Sequence, residues 1–120
     1  MTRLLAVIAA TLGIAAPIAH AERGSIDLEG DRTRAEDAAS IVTADQTYLV
    51  MQVHRVHMLN ASWQHEIARG HPKEAGMLAV EHWKALQAER HARFVLAHAS
   101  ADYIDAKERL VVDEFTLQHA

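Results

Sequence analysis

The feature that most constrains the fold is a helical spacing of apolar residues that continues through residues 33–120 with one clear interruption. In the first segment, from about Thr33 to Arg69, the predicted core stripe consists of Val42, Leu49, Val53, Val56, Trp63 and Ile67. In the second, from about Pro72 to Leu117, it consists of Trp83, Leu86, Phe94, Ala97, Ala101, Ile104, Val111 and Phe115. Helical spacing sustained over this length predicts an all-α fold.

The interruption is the tripeptide Gly70-His71-Pro72. Glycine is typical of the end of a helix, and proline is typical of the first turn of the next one. We therefore predict a long antiparallel helical hairpin. A break near Ser100 and a capping box formed by Thr43 and Gln46 leave three to four helices open as an alternative. Because two helices bury only a thin core, a four-helix bundle formed by dimerisation is a further interpretation.

Residues 1–21 have the pattern of a secretory signal peptide. Arg3 is followed by an apolar run from Leu4 to Ile18 and by the small-residue cleavage site Ala19-His20-Ala21. A membrane anchor would need roughly 20 apolar residues, and this run is shorter and contains a glycine and a proline. We expect cleavage after Ala21 and a periplasmic or secreted mature chain without a membrane anchor.

The predicted mature chain has a short acidic lead-in, residues 22–32, ahead of a helical domain at 33–120. The lead-in contains two glycines and shows no helical period, so we expect it to be flexible. Without Arg3, eleven basic side chains remain against sixteen acidic ones, a formal charge of −5. No basic patch stands out, which argues against a nucleic-acid partner. The absence of cysteine excludes disulfides, thiolate metal sites and covalent c-type haem.

Histidine and methionine recur at helical spacing in both segments. In the first, His54, Met58 and His65 form one line along the predicted helix, with His57 on its flank. In the second, His91, His98 and Asp102 share a flank, and the last two are one turn apart. Neutral imidazole is the commonest protein metal ligand, and thioether without thiolate favours copper, with nickel or zinc as alternatives. These seven residues are the predicted metal ligands.

The residue pattern thus predicts a small periplasmic metal-binding protein that acts in metal buffering, delivery or sensing. We do not expect an enzyme, because no serine lies in a nucleophile turn and no phosphate-binding loop is present. The HExxH pattern of zinc proteases fails as well, since Arg69 stands where its second histidine would be.

Two alternatives remain open. One is a metal-free periplasmic helical binding module that holds unfolded or envelope proteins, with histidines that make binding respond to acid. Its adaptable apolar contacts would come from Met51, Met58, Trp63, Met77 and Trp83. The other is non-covalent haem held by His98 and Met58, which has no attachment motif to support it.

Overall fold

The computed structural model describes residues 25–120, which form a helical hairpin of two long helices. Helix α1 spans Leu28–Ala68 and helix α2 spans Pro72–Gln118. Helix α1 continues through Thr43 and helix α2 continues through Ser100. The described part of the chain therefore has two helices and not the alternative three or four. The prediction of an all-α hairpin is therefore confirmed. The predicted signal peptide lies outside the described residues.

Helix α1 begins earlier than the sequence pattern predicts, because Asp27 caps it. The Asp27 Oδ1 atom accepts a hydrogen bond from the Gly30 amide at 2.9 Å, and the Asp27 carbonyl accepts one from the Asp31 amide at 3.0 Å. Glu29 and Asp31 add negative charge in the first turn, where the helix dipole favours it. The helix therefore starts at Leu28 instead of Thr33, and residues 28–32 of the predicted lead-in are helical.

The reversal between the helices follows the prediction for Gly70-His71-Pro72. Gly70 has a φ of 73°, in the left-handed region that glycine adopts at little cost. Its amide donates to the Ile67 carbonyl at 3.1 Å, and the His71 amide donates to the Glu66 carbonyl at 2.9 Å. This pair of bonds is a Schellman motif, which satisfies the last carbonyls of α1. Pro72 then opens α2.

The hairpin divides into two compact units. In the first, which we call the terminal unit, residues 25–42 of the described chain pack with His98–Ala120. Its buried cluster is Ala35, Ala106 and Leu110, with Leu28 and Ala38 packed against it. Arg32 and Glu114 lie 4.0 Å apart on its surface, where an ion pair contributes little stability.

The second unit, Thr43–Ala97, contains the reversal, and we call it the turn unit. Its fully buried apolar residues Ala75, Ala85 and Ala92 all belong to α2. Helix α1 contributes partly buried larger side chains, among them Leu49 and Val56. Alanine at a helix contact allows the two axes to approach closely, because its side chain is small.

The structure corrects the predicted core stripe of α2. Its buried seam has alanines at intervals of seven, Ala85, Ala92, Ala99 and Ala106, followed one turn later by Leu110. Trp83, Phe94 and Phe115 of the predicted stripe are instead 61%, 62% and 60% exposed. Leu86, Ala97 and Val111 are exposed as well, whereas Ala101 and Ile104 are partly buried as predicted. In α1 the predicted stripe is partly buried as expected, except for the exposed Ile67.

The physical reason is that α2 carries two apolar stripes, and a two-helix hairpin provides a contact for only one of them. Hydropathy summed along each stripe predicts burial of the stripe with the larger side chains. Close packing of two helices instead favours burial of the stripe with the small side chains. Neither helix of the described part has a stretch long and apolar enough to cross a bilayer.

Candidate functional site

The predicted ligands on α1 all lie in the turn unit, and none of them is buried. His54, His57, Met58 and His65 are exposed. His54 and Met58 are one helical turn apart, so their side chains occupy neighbouring positions on the same helix face. Exposure leaves these side chains accessible to an ion without enclosing it.

The predicted ligands on α2 are divided between the two units. His91 is exposed in the turn unit, while the partly buried His98 and the exposed Asp102 belong to the terminal unit. Across residues 25–120, no group of three or more His, Cys, Asp or Glu side chains is arranged to hold a metal ion. Metal binding therefore stays a prediction that depends on residue types and spacing.

A histidine contact that the sequence analysis missed lies at the reversal. The ring Nδ1–H of His71 donates to Glu66 Oε2 at 2.7 Å. This hydrogen bond is the main cause of a lowered pKa of the Glu66 carboxyl. Desolvation opposes it, and the charges of His71, Arg69 and His65 add smaller effects that lower the pKa. Helical spacing gives no signal for this pair, because only the Schellman geometry brings residues 66 and 71 together.

The most prominent surface feature of the turn unit is an outward apolar patch on α2. It consists of Val80, Trp83 and Phe94, which we call the turn-unit patch. These positions share the face of α2 that lies away from the alanine seam. Exposed apolar residues of this size, grouped on one face, are typical of a surface that binds another chain.

The terminal unit has a smaller patch of the same kind, formed by Val111 and Phe115. The ring of His119 stacks on the ring of Phe115 with a centroid distance of 4.0 Å and an angle of 22° between the ring planes. The His119 Nδ1–H also donates to the Phe115 carbonyl at 2.9 Å, which holds the last turn of α2 in place. We call Val111 and Phe115 the terminal-unit patch.

The fold and these patches define a helical hairpin with an alanine seam inside and aromatic residues outside. Comparisons with protein-family models, with curated protein sequences and with solved structures find no match to this chain.

Proposed function

We propose that this chain is an exported helical binding module that holds apolar segments of other polypeptides. One observation carries the proposal: Trp83, Phe94 and Phe115 of α2 are each at least 60% exposed. Export follows the signal-peptide pattern of residues 1–21, which predicts a periplasmic location.

Covering these side chains would be favourable for a complex. Burial of a large apolar side chain contributes about 1.5–3 kcal/mol, and most of that contribution is still unused when the side chain is largely exposed. Tryptophan is also among the residues that dominate binding energy in interfaces. Met77, exposed on the flank of the same helix, has a flexible thioether side chain that adapts to partners of different shape.

The test is protection of an unfolding client. Insulin is reduced with dithiothreitol, and aggregation of its B chain is followed by light scattering with and without the chain purified after export. We expect the chain to delay aggregation and the double variant Trp83→Ser, Phe94→Ser to lose this effect. The matched control is Ile41→Ser, Val50→Ser, which removes two exposed apolar side chains from α1. Equal protection by the two double variants, or no protection by the parent chain, would overturn the proposal.

Metal binding is a second candidate, and the observation that favours it is the exposed pair His54 and Met58, one turn apart in the turn unit. Here the chain would bind copper first, with nickel or zinc as alternatives, and act in buffering, delivery or sensing. His57 and His65 on α1, and His91, His98 and Asp102 on α2, remain its other proposed ligands.

Calorimetric titration with Cu(II), Ni(II) and Zn(II) tests this candidate. We expect stoichiometric copper binding that is lost when His54, His57 and His65 are all changed to Ala. His119→Ala is the control, because His119 stacks on Phe115 near the end of α2. Copper binding that survives the triple substitution would show that the α1 histidines are only solvated surface.

A further inference from the structure

We infer that the outer face of α2 in the turn unit binds the surface of an anionic phospholipid bilayer. The inference goes beyond the proposed function, because it gives the turn-unit patch a second partner of different chemistry. Two properties of this face support it: the aromatic side chains at its centre and the basic side chains that border them.

The centre of this face is a single line of residues along the helix. Val80, Gln87 and Phe94 follow one another at intervals of seven, and Trp83 lies one turn from the first two. The three apolar side chains of this line are each more than half exposed. Tryptophan and phenylalanine on one face are typical of helices that lie in the plane of a bilayer surface, where the indole ring is apolar and its N–H stays hydrated.

Basic side chains border this line on both sides. Lys73 lies seven residues before Val80 and Lys84 four residues after it, which places both on one side. Arg90 lies four residues before Phe94, on the other side. All three basic side chains are exposed. Lysine and arginine at such positions lay their apolar stems along the buried surface and hold their charges among the lipid headgroups.

The acidic side chains of α2 in this unit lie on the opposite side of the helix, at a spacing of about 100° per residue. They are Glu74, Glu81 and Glu89. Glu81 lies 3.6 Å from Arg55 of α1 and 3.3 Å from Lys84. Glu89 lies 3.5 Å from Arg93. Negative charge is therefore kept away from the outer face, and part of it is balanced by neighbouring basic groups.

Net charge distinguishes the two units in the same sense. The turn unit has six Lys and Arg against five Asp and Glu, a formal charge of +1. The described residues of the terminal unit have four against ten, a formal charge of −6. An anionic surface therefore attracts the turn unit and repels the terminal unit. The acidic composition of the whole chain hides this difference.

Vesicle binding tests the inference. The exported chain is mixed with vesicles of phosphatidylglycerol and phosphatidylcholine in equal parts, or with vesicles of phosphatidylcholine alone, and the bound chain is measured by co-sedimentation. We expect binding to the vesicles that contain phosphatidylglycerol, and we expect it to weaken as salt is raised. The double variant Lys73→Gln, Arg90→Gln should bind at least about tenfold more weakly, because each cation near an anionic surface contributes about fivefold.

The matched control is Lys107→Gln, Arg109→Gln, which removes the same charge from exposed positions of the terminal unit and should bind like the parent chain. An equal loss of binding in the two double variants would overturn the inference. Equal binding to the two kinds of vesicle, or binding to neither, would overturn it as well.

Tryptophan fluorescence gives a second measurement, which detects insertion of the patch. The chain has two tryptophans, so Trp63→Phe leaves Trp83 alone and Trp83→Phe leaves the partly buried Trp63 alone. We expect the emission of Trp83 to move to shorter wavelength on the anionic vesicles and to be quenched by brominated lipid, because its ring enters the apolar layer. The emission of Trp63 should stay unchanged. Vesicle binding that leaves the emission of Trp83 unchanged would contradict insertion of this face.

The insulin assay contains no lipid, so it separates this inference from the proposed function. A chain that delays insulin aggregation and does not bind the anionic vesicles would remove the lipid partner and leave the binding module. A chain that binds these vesicles and fails to protect insulin would do the reverse.

Discussion

At the scale of single residues, Gly70 and Gly76 differ in backbone conformation: the first is left-handed and the second is helical. Gly70 has a φ of 73°, whereas Gly76 lies inside α2 and a Cβ atom there would meet nothing within 4 Å. We expect Gly70→Ala to lower the free energy of unfolding by about 1–2 kcal/mol, because the left-handed conformation is costly with a Cβ atom.

Gly76→Ala is the matched comparison and should raise the free energy of unfolding by about 0.5–1 kcal/mol, since alanine loses less conformational freedom in a helix. Urea denaturation followed by far-ultraviolet circular dichroism measures both variants. Equal effects of the same sign would mean that the Schellman turn does not require glycine.

The contact between Glu66 and His71 makes stability depend on pH. Because the pKa of Glu66 is lowered in the folded state, its stabilising contribution is present above the ordinary carboxyl pKa and disappears as the pH falls through the folded value. Glu66→Gln should therefore be less stable than the parent at pH 6, and the difference should shrink in acid. Urea denaturation from pH 6 down to pH 2 tests this. Glu36→Gln, at an exposed position, is the matched control. A pH-independent difference for Glu66→Gln would contradict the assignment.

The residue pattern predicted the reversal at Gly70 and Pro72 but missed two local contacts. Asp27 lies in a stretch without helical period, so its role as a cap was hidden. The contact between Glu66 and His71 depends on the path of the chain after the helix ends. Local rules therefore identified the reversal and missed the side chains that stabilise the two ends of α1.

At the scale of the elements, the alanine seam of α2 decides how closely the helices pack. Ala85 is completely buried in the turn unit. We expect Ala85→Leu to lower the free energy of unfolding by about 1–3 kcal/mol, because a larger side chain would force the helices apart. Ala79→Leu, at an exposed position of the same helix, should change it by less than about 0.5 kcal/mol. Urea denaturation measures both, and a harmless Ala85→Leu would show that the seam is not tightly packed.

At the scale of the whole molecule, the prediction that the chain is exported depends only on the pattern of residues 1–21. We expect the chain recovered from the periplasm of an expressing bacterium to begin at Glu22. Ala21→Arg should block processing and leave a longer product, because signal peptidase requires a small residue before the cut. Intact mass spectrometry of the two products checks this. A recovered chain that still begins at Met1 would contradict the signal-peptide assignment.

The sequence by itself determined that this chain is helical and where it reverses, because helical period and the backbone preferences of Gly70 and Pro72 are properties of neighbouring residues. Only the tertiary structure decided which stripe of α2 is buried. Both stripes satisfy the helical period, and the choice depends on the space between two helices, where Ala85 and Ala92 fit against α1 and Trp83 and Phe94 remain outside. Because the alanine stripe is the buried one, the aromatic side chains of α2 are exposed, and they form the candidate binding surface that the histidine pattern did not predict.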